Sequence, residues 1–336
     1  MKLGELEPLS SFALLGPGFG GGQWLLLRGL RPAAADPTLV FAPFEARGAG
    51  ALGFAADSAR PCEVELGGPA PRGLRVTLLA DGHAEKVRRI REAIACGDVY
   101  QVCLTVRAQL SDATGGELLS LMCERGVPRF AAWVRFPDGG ELVSASPELF
   151  FETNGGEVHS EPMKGTARPA GKEQLETSEK ERAELAMITD LLRNDLAQVC
   201  RPKTVRVACE RRVIELPYAL QAVSDVVGRL DQGATPLDVL ASLHPGGSVT
   251  GAPKRAALAM IRSLEPTPRG AYCGALGLWT GERSTFSLLI RTAARAPGGW
   301  SYGVGGGIVY DSDPQAELDE LETKLGALRC RTPSAA

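Results

Sequence analysis

Short runs with strand character and longer runs with helical period alternate in blocks along the chain. The apolar-rich segments 130–136 and 141–144 flank Pro137-Asp138-Gly139-Gly140 and predict a hairpin, and 149–153 turns through Asn154-Gly155-Gly156 into 157–160. Asp-Gly and Asn-Gly steps favour such turns because both residue types reach positive φ at low cost. A second cluster places strands at 274–279 and 285–292 around Thr280-Gly281-Glu282-Arg283, with another at 300–310 beyond Ala296-Pro297-Gly298-Gly299. Apolar residues recurring every three to four positions predict helices at about 81–96, 115–125, 172–197, 216–230, 253–264 and 314–329. Hairpin-linked strands separated by helices predict an α+β protein rather than an alternating βαβ fold. The first 80 residues break into short apolar runs between Pro and Gly clusters, which predicts a reduced β-rich portion, 1–80, packed on a main unit at 81–330.

Composition narrows the function classes. The 336 residues are 44% hydrophobic and 23% charged, ordinary values for a globular protein, so disorder and collagen are excluded. A net charge of −3 without a basic stripe among aromatics argues against nucleic-acid binding. No apolar run approaches the roughly 18 residues of a membrane span and no signal-peptide core follows Met1, so a cytoplasmic protein without membrane partners is expected. The eight cysteines form no C-x-x-C pair and the three histidines are never spaced i, i+4, so a zinc site is not expected and the cysteines read as small buried apolar residues.

The 40 glycines invite nucleotide-loop readings that fail on context. Gly16-Pro17-Gly18-Phe19-Gly20-Gly21 fits G-x-G-x-x-G in letters, but Gln23-Trp24-Leu25-Leu26-Leu27 continues as a strand where that motif needs a helix. After Gly251 come Ala252 and Pro253 where a phosphate loop needs Lys and Ser or Thr; a helix opened by Pro253 at its first position, with Thr250 or Gly251 near the cap, is simpler. Gly305-Gly306-Gly307 interrupts a good strand, which implies a bulge or the close approach of a ligand to bare amides.

Several polar residues stand out against their surroundings. Glu184, Ile188, Leu191 and Asp195 share one helical stripe, so a carboxylate faces the core and needs either a basic partner or a cation such as Mg²⁺. The last helix opens with Asp313 and Pro314, buries Leu318, Leu321, Leu325 and Leu328, and carries Glu317, Glu320 and Lys324 alongside; Glu320 and Lys324 suit an i, i+4 ion pair. Lys164, among small and apolar residues, is either a surface lysine or a desolvated nucleophile, and Glu148 at a strand end is either a turn residue or a general acid.

Taken together, Gly97-Asp98-Val99-Tyr100-Gln101-Val102, Ser144-Ala145-Ser146-Pro147-Glu148, Pro162-Met163-Lys164-Gly165-Thr166, Lys180-Glu181-Arg182-Ala183-Glu184, Asp190-Leu191-Leu192-Arg193-Asn194-Asp195, His244-Pro245-Gly246-Gly247-Ser248-Val249-Thr250-Gly251-Ala252-Pro253-Lys254 and Ile290-Arg291-Thr292 run in a familiar order. With Val304 to Val309 and Asp311-Ser312-Asp313-Pro314 they cover roughly 80–330 and resemble the chorismate-utilising enzymes, the aminodeoxychorismate type first and the anthranilate type next. The resemblance implies two antiparallel sheets in a sandwich with flanking helices, and Mg²⁺ held by Glu184 and Glu320 with Glu317 nearby. It assigns substrate carboxylate contacts to Lys324, Arg291, Tyr272 and the amides of Gly305 and Gly307, and ring contacts to Gly165 and Thr166. Lys164 occupies the place where Pro-x-Lys-Gly-Thr marks the aminodeoxychorismate type and Pro-x-Ala-Gly-Thr the anthranilate type. The implied reaction is attack by Lys164 at C2 of chorismate with Glu148 as general acid, then amination at C4 by ammonia from a glutamine amidotransferase partner. Anthranilate formation and a non-catalytic chorismate-binding relative are the alternatives. Two positions depart from the family: Gln221 stands where a histidine is expected, and Cys103 where asparagine is common. Glutamine donates hydrogen bonds but cannot relay a proton near neutral pH.

Overall fold

The computed structural model describes residues 1–46, 50–67, 71, 74–111, 113–216, 219–296, 299–326 and 328. Among them, eighteen strands form one hydrogen-bonded network in which neighbouring strands run antiparallel. One half runs, in spatial order, Val76–Leu79, Gln101–Leu110, Gly299–Ile308, Thr292–Ala296, Glu141–Ser146, Phe130–Arg135, Phe12–Gly20 and Gln23–Pro32. Leu52–Cys62 pairs with Gln23–Pro32 and leads into the other half, which continues through Leu39–Ala42, Ala275–Thr280, Arg283–Leu288, Leu149–Asn154, Glu157–Ser160, Ala219–Arg229 and Arg206–Leu216. Met163–Ala167 also pairs with Ala219–Arg229. The ribbon folds back on itself around a core in which Leu15, Leu27, Phe130 and Val134 of one half meet Leu39, Leu149, Leu276 and Leu278 of the other. The two sheets of the expected sandwich are therefore the two halves of a continuous ribbon.

Seven α-helices cover the outer faces among the described residues: α1 (His83–Ala95), α2 (Gly115–Met122), α3 (Lys172–Thr177), α4 (Glu179–Leu196), α5 (Pro236–Leu243), α6 (Lys254–Leu264) and α7 (Pro314–Leu325). Leu118 and Leu119 of α2 and Leu321 and Leu325 of α7 pack with Trp133, Val143 and Trp300 of the first half. Val87 of α1, Leu192 of α4, Leu240 of α5 and Ile261 of α6 pack with Phe151, Val226 and Phe286. Among the described residues no helix is long and apolar enough to cross a membrane.

Several sequence expectations change. The helix predicted at 216–230 is the strand Ala219–Arg229: residues 219–224 are buried on both faces, which hides the two-residue period, and Val223, Val226 and Val227 favour the pleated form. The pattern missed α5, although Thr235 accepts from Asp238 N, Asp238 bonds back, and Pro236 stands at the first position. The run 172–197 is broken at Ser178, whose side chain caps α4 by accepting from Glu181 N. Pro253 is itself the cap of α6 rather than its first residue. The strand expected at 285–292 stops at Leu288 and resumes at Thr292, with Arg291 at φ 50° between. Gly16 to Gly20 belong to a strand that turns at Gly21 and Gly22, with φ of 68° and 101°. The seven described cysteines are free, but Cys96 is exposed and Cys62 and Cys209 only half-buried; Cys330 lies outside the described residues.

Candidate active site

The glycine run lies on the strand Gly299–Ile308, where Gly305, Gly306 and Gly307 stand opposite Thr105, Leu104 and Cys103. The register is unbroken from Trp300 to Ile308, so there is no bulge. Close approach explains the glycines instead. A Cβ on Gly307 would overlap the Gln101 amide nitrogen and lie 3.6 Å from Lys164 Nζ. On the other face a Cβ on Gly306 would meet Glu317 Oε2 at 3.1 Å and Lys324 Nζ at 3.9 Å, whereas one on Gly303, on the same face as Gly307, would overlap the Tyr272 ring. Successive residues of a strand face opposite sides, so Gly306 presents bare backbone to the ends of Glu317 and Lys324, and Gly307 presents it to Gln101 and Lys164. Lys324 Nζ donates to Gly305 O at 2.6 Å and pairs with Glu320 at 2.7 Å, as the i, i+4 spacing predicts. Arg291 is half-buried, and its carbonyl accepts from Ala145 N at 3.0 Å.

Lys164 rides on Met163–Ala167, whose pairing with Ala219–Arg229 slips between Lys164 and Thr166. Gly165 absorbs the slip at φ 78°, where a side chain would also press on Glu181 Oε2 at 2.8 Å. Gln221, 5% exposed, donates from Nε2 to Thr166 Oγ1 at 2.6 Å, so the residue replacing the expected histidine fixes the threonine hydroxyl. Glu148 is 6% exposed, and burial pushes its carboxyl up to about 7. The Ser248 hydroxyl, donating at 3.1 Å, and the Lys164 charge pull it down, whereas the Glu161 charge adds to the rise. A carboxyl poised there is divided between its protonated and ionised forms near neutral pH, the condition a general acid needs.

Sequence reasoning did not single out Gln101 or Ser248. Both sit inside quoted motifs, but a buried amide over a glycine and a hydroxyl reaching across 100 residues have no local signature. Gln101 is 2% exposed, and its Oε1 has no hydrogen-bond partner.

The carboxylates assigned to Mg²⁺ occupy three settings. Glu184 on α4 is half-buried, Glu317 accepts from Ser312 Oγ at 2.6 Å, and Glu320 is exposed beside Lys324. Their oxygens suit a hard cation, and Glu317 and Glu320 lie one turn apart on α7. Among the described residues these three do not form a cluster within 4.8 Å; His159, Glu161 and Asp225 do. That cluster is an ion-pair lattice rather than a metal centre. His159 meets Glu152 through Nδ1 at 3.0 Å and Asp225 through Nε2 at 2.9 Å, and these bonds raise its pKa and leave both nitrogens as donors. Arg212 reaches Asp225 at 2.7 Å and Glu161 at 2.8 Å, and Arg129 reaches Glu161 at 2.6 Å, so arginine cations already neutralise the carboxylates.

A sequence-family profile described as chorismate binding enzyme matches residues 48–329. The chain belongs to the chorismate-binding enzymes. It is 38% identical over 259 residues to an anthranilate synthase component 1 of Haloarcula marismortui, covering 74% of this chain and 53% of that one. It is 36% identical over 258 residues to the aminodeoxychorismate synthase component 1 of Salmonella typhimurium, covering 73% and 56%. The chain thus spans about half the length of these curated relatives. Among solved structures, anthranilate synthase component I from Streptococcus pneumoniae superposes with a TM-score of 0.70 at 28% identity over 76% of this chain and 60% of that one. A putative isochorismate synthase, DhbC, from Bacillus anthracis gives 0.79 at 21% identity over 96% and 97%, a likeness of fold.

Proposed function

We propose that this chorismate-binding enzyme aminates chorismate at C4 to give 4-amino-4-deoxychorismate, the aminodeoxychorismate synthase reaction, in the cytoplasm. The observation that carries the reading is Lys164 beside the bare backbone of Gly307, with Glu148 buried and poised near 7 within its electrostatic reach. Lysine at this position also separates the aminodeoxychorismate type from the anthranilate type.

In this mechanism the nitrogen lone pair of Lys164 forms a bond to C2. The ring double bonds migrate and the C4–O bond breaks as Glu148 delivers its proton, so the hydroxyl leaves as water. Ammonia then bonds to C4, the double bonds return, the C2–N bond to Lys164 breaks, and the proton shed by the new C4 amine restores Glu148. The enolpyruvyl group stays on the ring, and the sum is chorismate plus ammonia to aminated product plus water. Lys324, Arg291, Tyr272 and the Gly305 and Gly307 amides hold the two carboxylates, and Gly165 and Thr166 line the ring. Mg²⁺ held by Glu184, Glu317 and Glu320 would supply positive charge to the ring carboxylate. Ammonia comes from a separate glutamine amidotransferase subunit.

The test is a product assay with chorismate, Mg²⁺ and ammonium salt. A product that a lyase converts to p-aminobenzoate is expected, with the rate falling at least about 100-fold in Lys164→Ala. Anthranilate fluorescence in place of p-aminobenzoate would refute C4 amination, and an unimpaired Lys164→Ala would remove the nucleophile.

A further inference from the structure

The proton-donating carboxyl of Glu148 has a built orientation. Its backbone is pinned, since Glu148 N–H donates to Ser146 Oγ at 3.2 Å, Ser146 Oγ donates to Leu288 O at 2.6 Å, and Leu288 N donates to Glu148 O at 3.2 Å. Its side chain meets the loop 244–250, from which Ser248 Oγ donates to Oε1 at 3.1 Å. That loop is itself held. Thr250 Oγ1 donates to Gly246 O at 2.9 Å, Arg269 Nη1 donates to Val249 O at 2.7 Å, and Lys254 Nζ ties Leu243 O at 3.1 Å and the Asp195 carboxylate. Gly247 backs onto Leu191, where a Cβ would lie 2.6 Å from the Leu191 side chain, so the loop has no room to withdraw from that side.

A protonated carboxyl has one oxygen that carries hydrogen and one that accepts. With Oε1 already accepting from Ser248, the acidic hydrogen falls to Oε2. We propose that Ser248 is the positioning residue of the acid step, selecting Oε2 of Glu148 as the oxygen that delivers the proton and stabilising the carboxylate left behind. The inference rests on the role given to Glu148 in the proposed function. Two charged groups also face this carboxyl: Lys164, which favours its ionised form, and Glu161, which opposes it. Glu161 is engaged by Arg129 and Arg212, so the direct hydrogen bond belongs to Ser248.

The experiment compares Ser248→Ala and Ser248→Thr with the parent protein. A donor to the ionised form lowers a carboxyl's pKa, so its loss moves the Glu148 midpoint upward, by about one pH unit. In chorismate turnover the high-pH limb of kcat moves up by the same amount and kcat falls about tenfold, with KM little changed, because the acid is no longer aimed. Threonine keeps the hydroxyl and restores the limb. A second readout needs no turnover: the carbonyl stretch of protonated Glu148, isolated by infrared difference against Glu148→Gln, titrates at higher pH in Ser248→Ala. An unmoved midpoint in that spectrum overturns the proposal whatever happens to kcat. If the parent protein consumes no chorismate with ammonia at any pH, the functional reading fails, while the infrared titration still decides the role of Ser248.

Discussion

Gly307→Ala tests whether the glycine run is bare for the sake of the side chains above it. The new methyl would overlap the Gln101 amide nitrogen, lie 3.1 Å from its Cδ, and touch Lys164 Nζ at 3.6 Å. Relief needs a shift of about 1 Å or more, since ordinary heavy-atom contact begins near ~3.5 Å. The backbone cannot supply it, because Gln101 and Val102 are paired with Ala252 and Gly251 while Val102 and Cys103 are paired with Ile308 and Gly307. The Gln101 side chain, 2% exposed, must therefore rotate within a packed interior and push against Lys164. Overpacking of this kind costs about 1–3 kcal/mol of stability, and a misplacement of ~1 Å at reacting groups costs about 100-fold in rate. The expected result is a folded protein that melts a few degrees lower and consumes chorismate about 100-fold more slowly in the ammonium assay. Gly306→Ala is the comparison, since its methyl meets only the ends of Glu317 and Lys324, at 3.1 and 3.9 Å, and these give by a few tenths of an ångström. It should lose about tenfold or less. A Gly307→Ala protein with parental turnover would refute the view that the Lys164–Gln101 arrangement depends on a bare residue there.

Phe151 and Phe286 stack at 4.4 Å between centroids with both rings fully buried. Phe286→Ala should lower the free energy of unfolding by about 3–5 kcal/mol in a denaturant titration, and a loss below ~1 kcal/mol would contradict the packing described. His159, held charged chiefly by Glu152 and then by Asp225, has a pKa raised above its ordinary value of 6.5. Its stabilisation is therefore complete below about pH 6.5 and fades as pH rises through the raised folded value, so the urea-midpoint gap between parent and His159→Gln should be widest near pH 6 and shrink on the alkaline side. A gap that widens with pH would show the opposite linkage. Glu317→Gln should raise the Mg²⁺ concentration needed for chorismate binding, followed by calorimetry, by about 10- to 100-fold; an unchanged requirement would remove Glu317 from the cation site.

Much of this architecture was legible where the signal is local. The hairpins at 130–146 and 149–160 follow from their turn residues, and α7 follows from Asp313, which accepts from Gln315 N and Ala316 N ahead of Pro314. The strand Ala219–Arg229 was misread because partners on both faces bury consecutive residues, and a sequence carries no record of how many neighbours a segment will have. The same limit applies to the site. Lys164, Gly307 and Lys324 stand out as candidates from the motifs, yet the contacts of Gln101 with Gly307 and of Ser248 with Glu148 arise only when segments about 200 and 100 residues apart are brought together. The His159 lattice escaped notice for a related reason: its six members come from four strands and two connecting segments, and no two adjacent residues announce it.

The placement of the first strands has a consequence for how the chain reaches its native state. Phe12–Gly20 and Gln23–Pro32 are made well before their distant partners, yet Phe12–Gly20 must wait for Phe130–Arg135, and Leu39–Ala42 must wait for Ala275–Thr280. Until those segments emerge, a hairpin rich in leucine carries unpaired strand edges, the condition that most favours association between nascent chains. Pairings separated by more than 100 and 200 residues also place the protein among slow folders, because loop closure precedes the reward of contact. The ribbon that joins Lys164 to the glycine strand is thus completed late, and the candidate site is assembled only when the segment carrying the glycine strand has been threaded past the earlier strands.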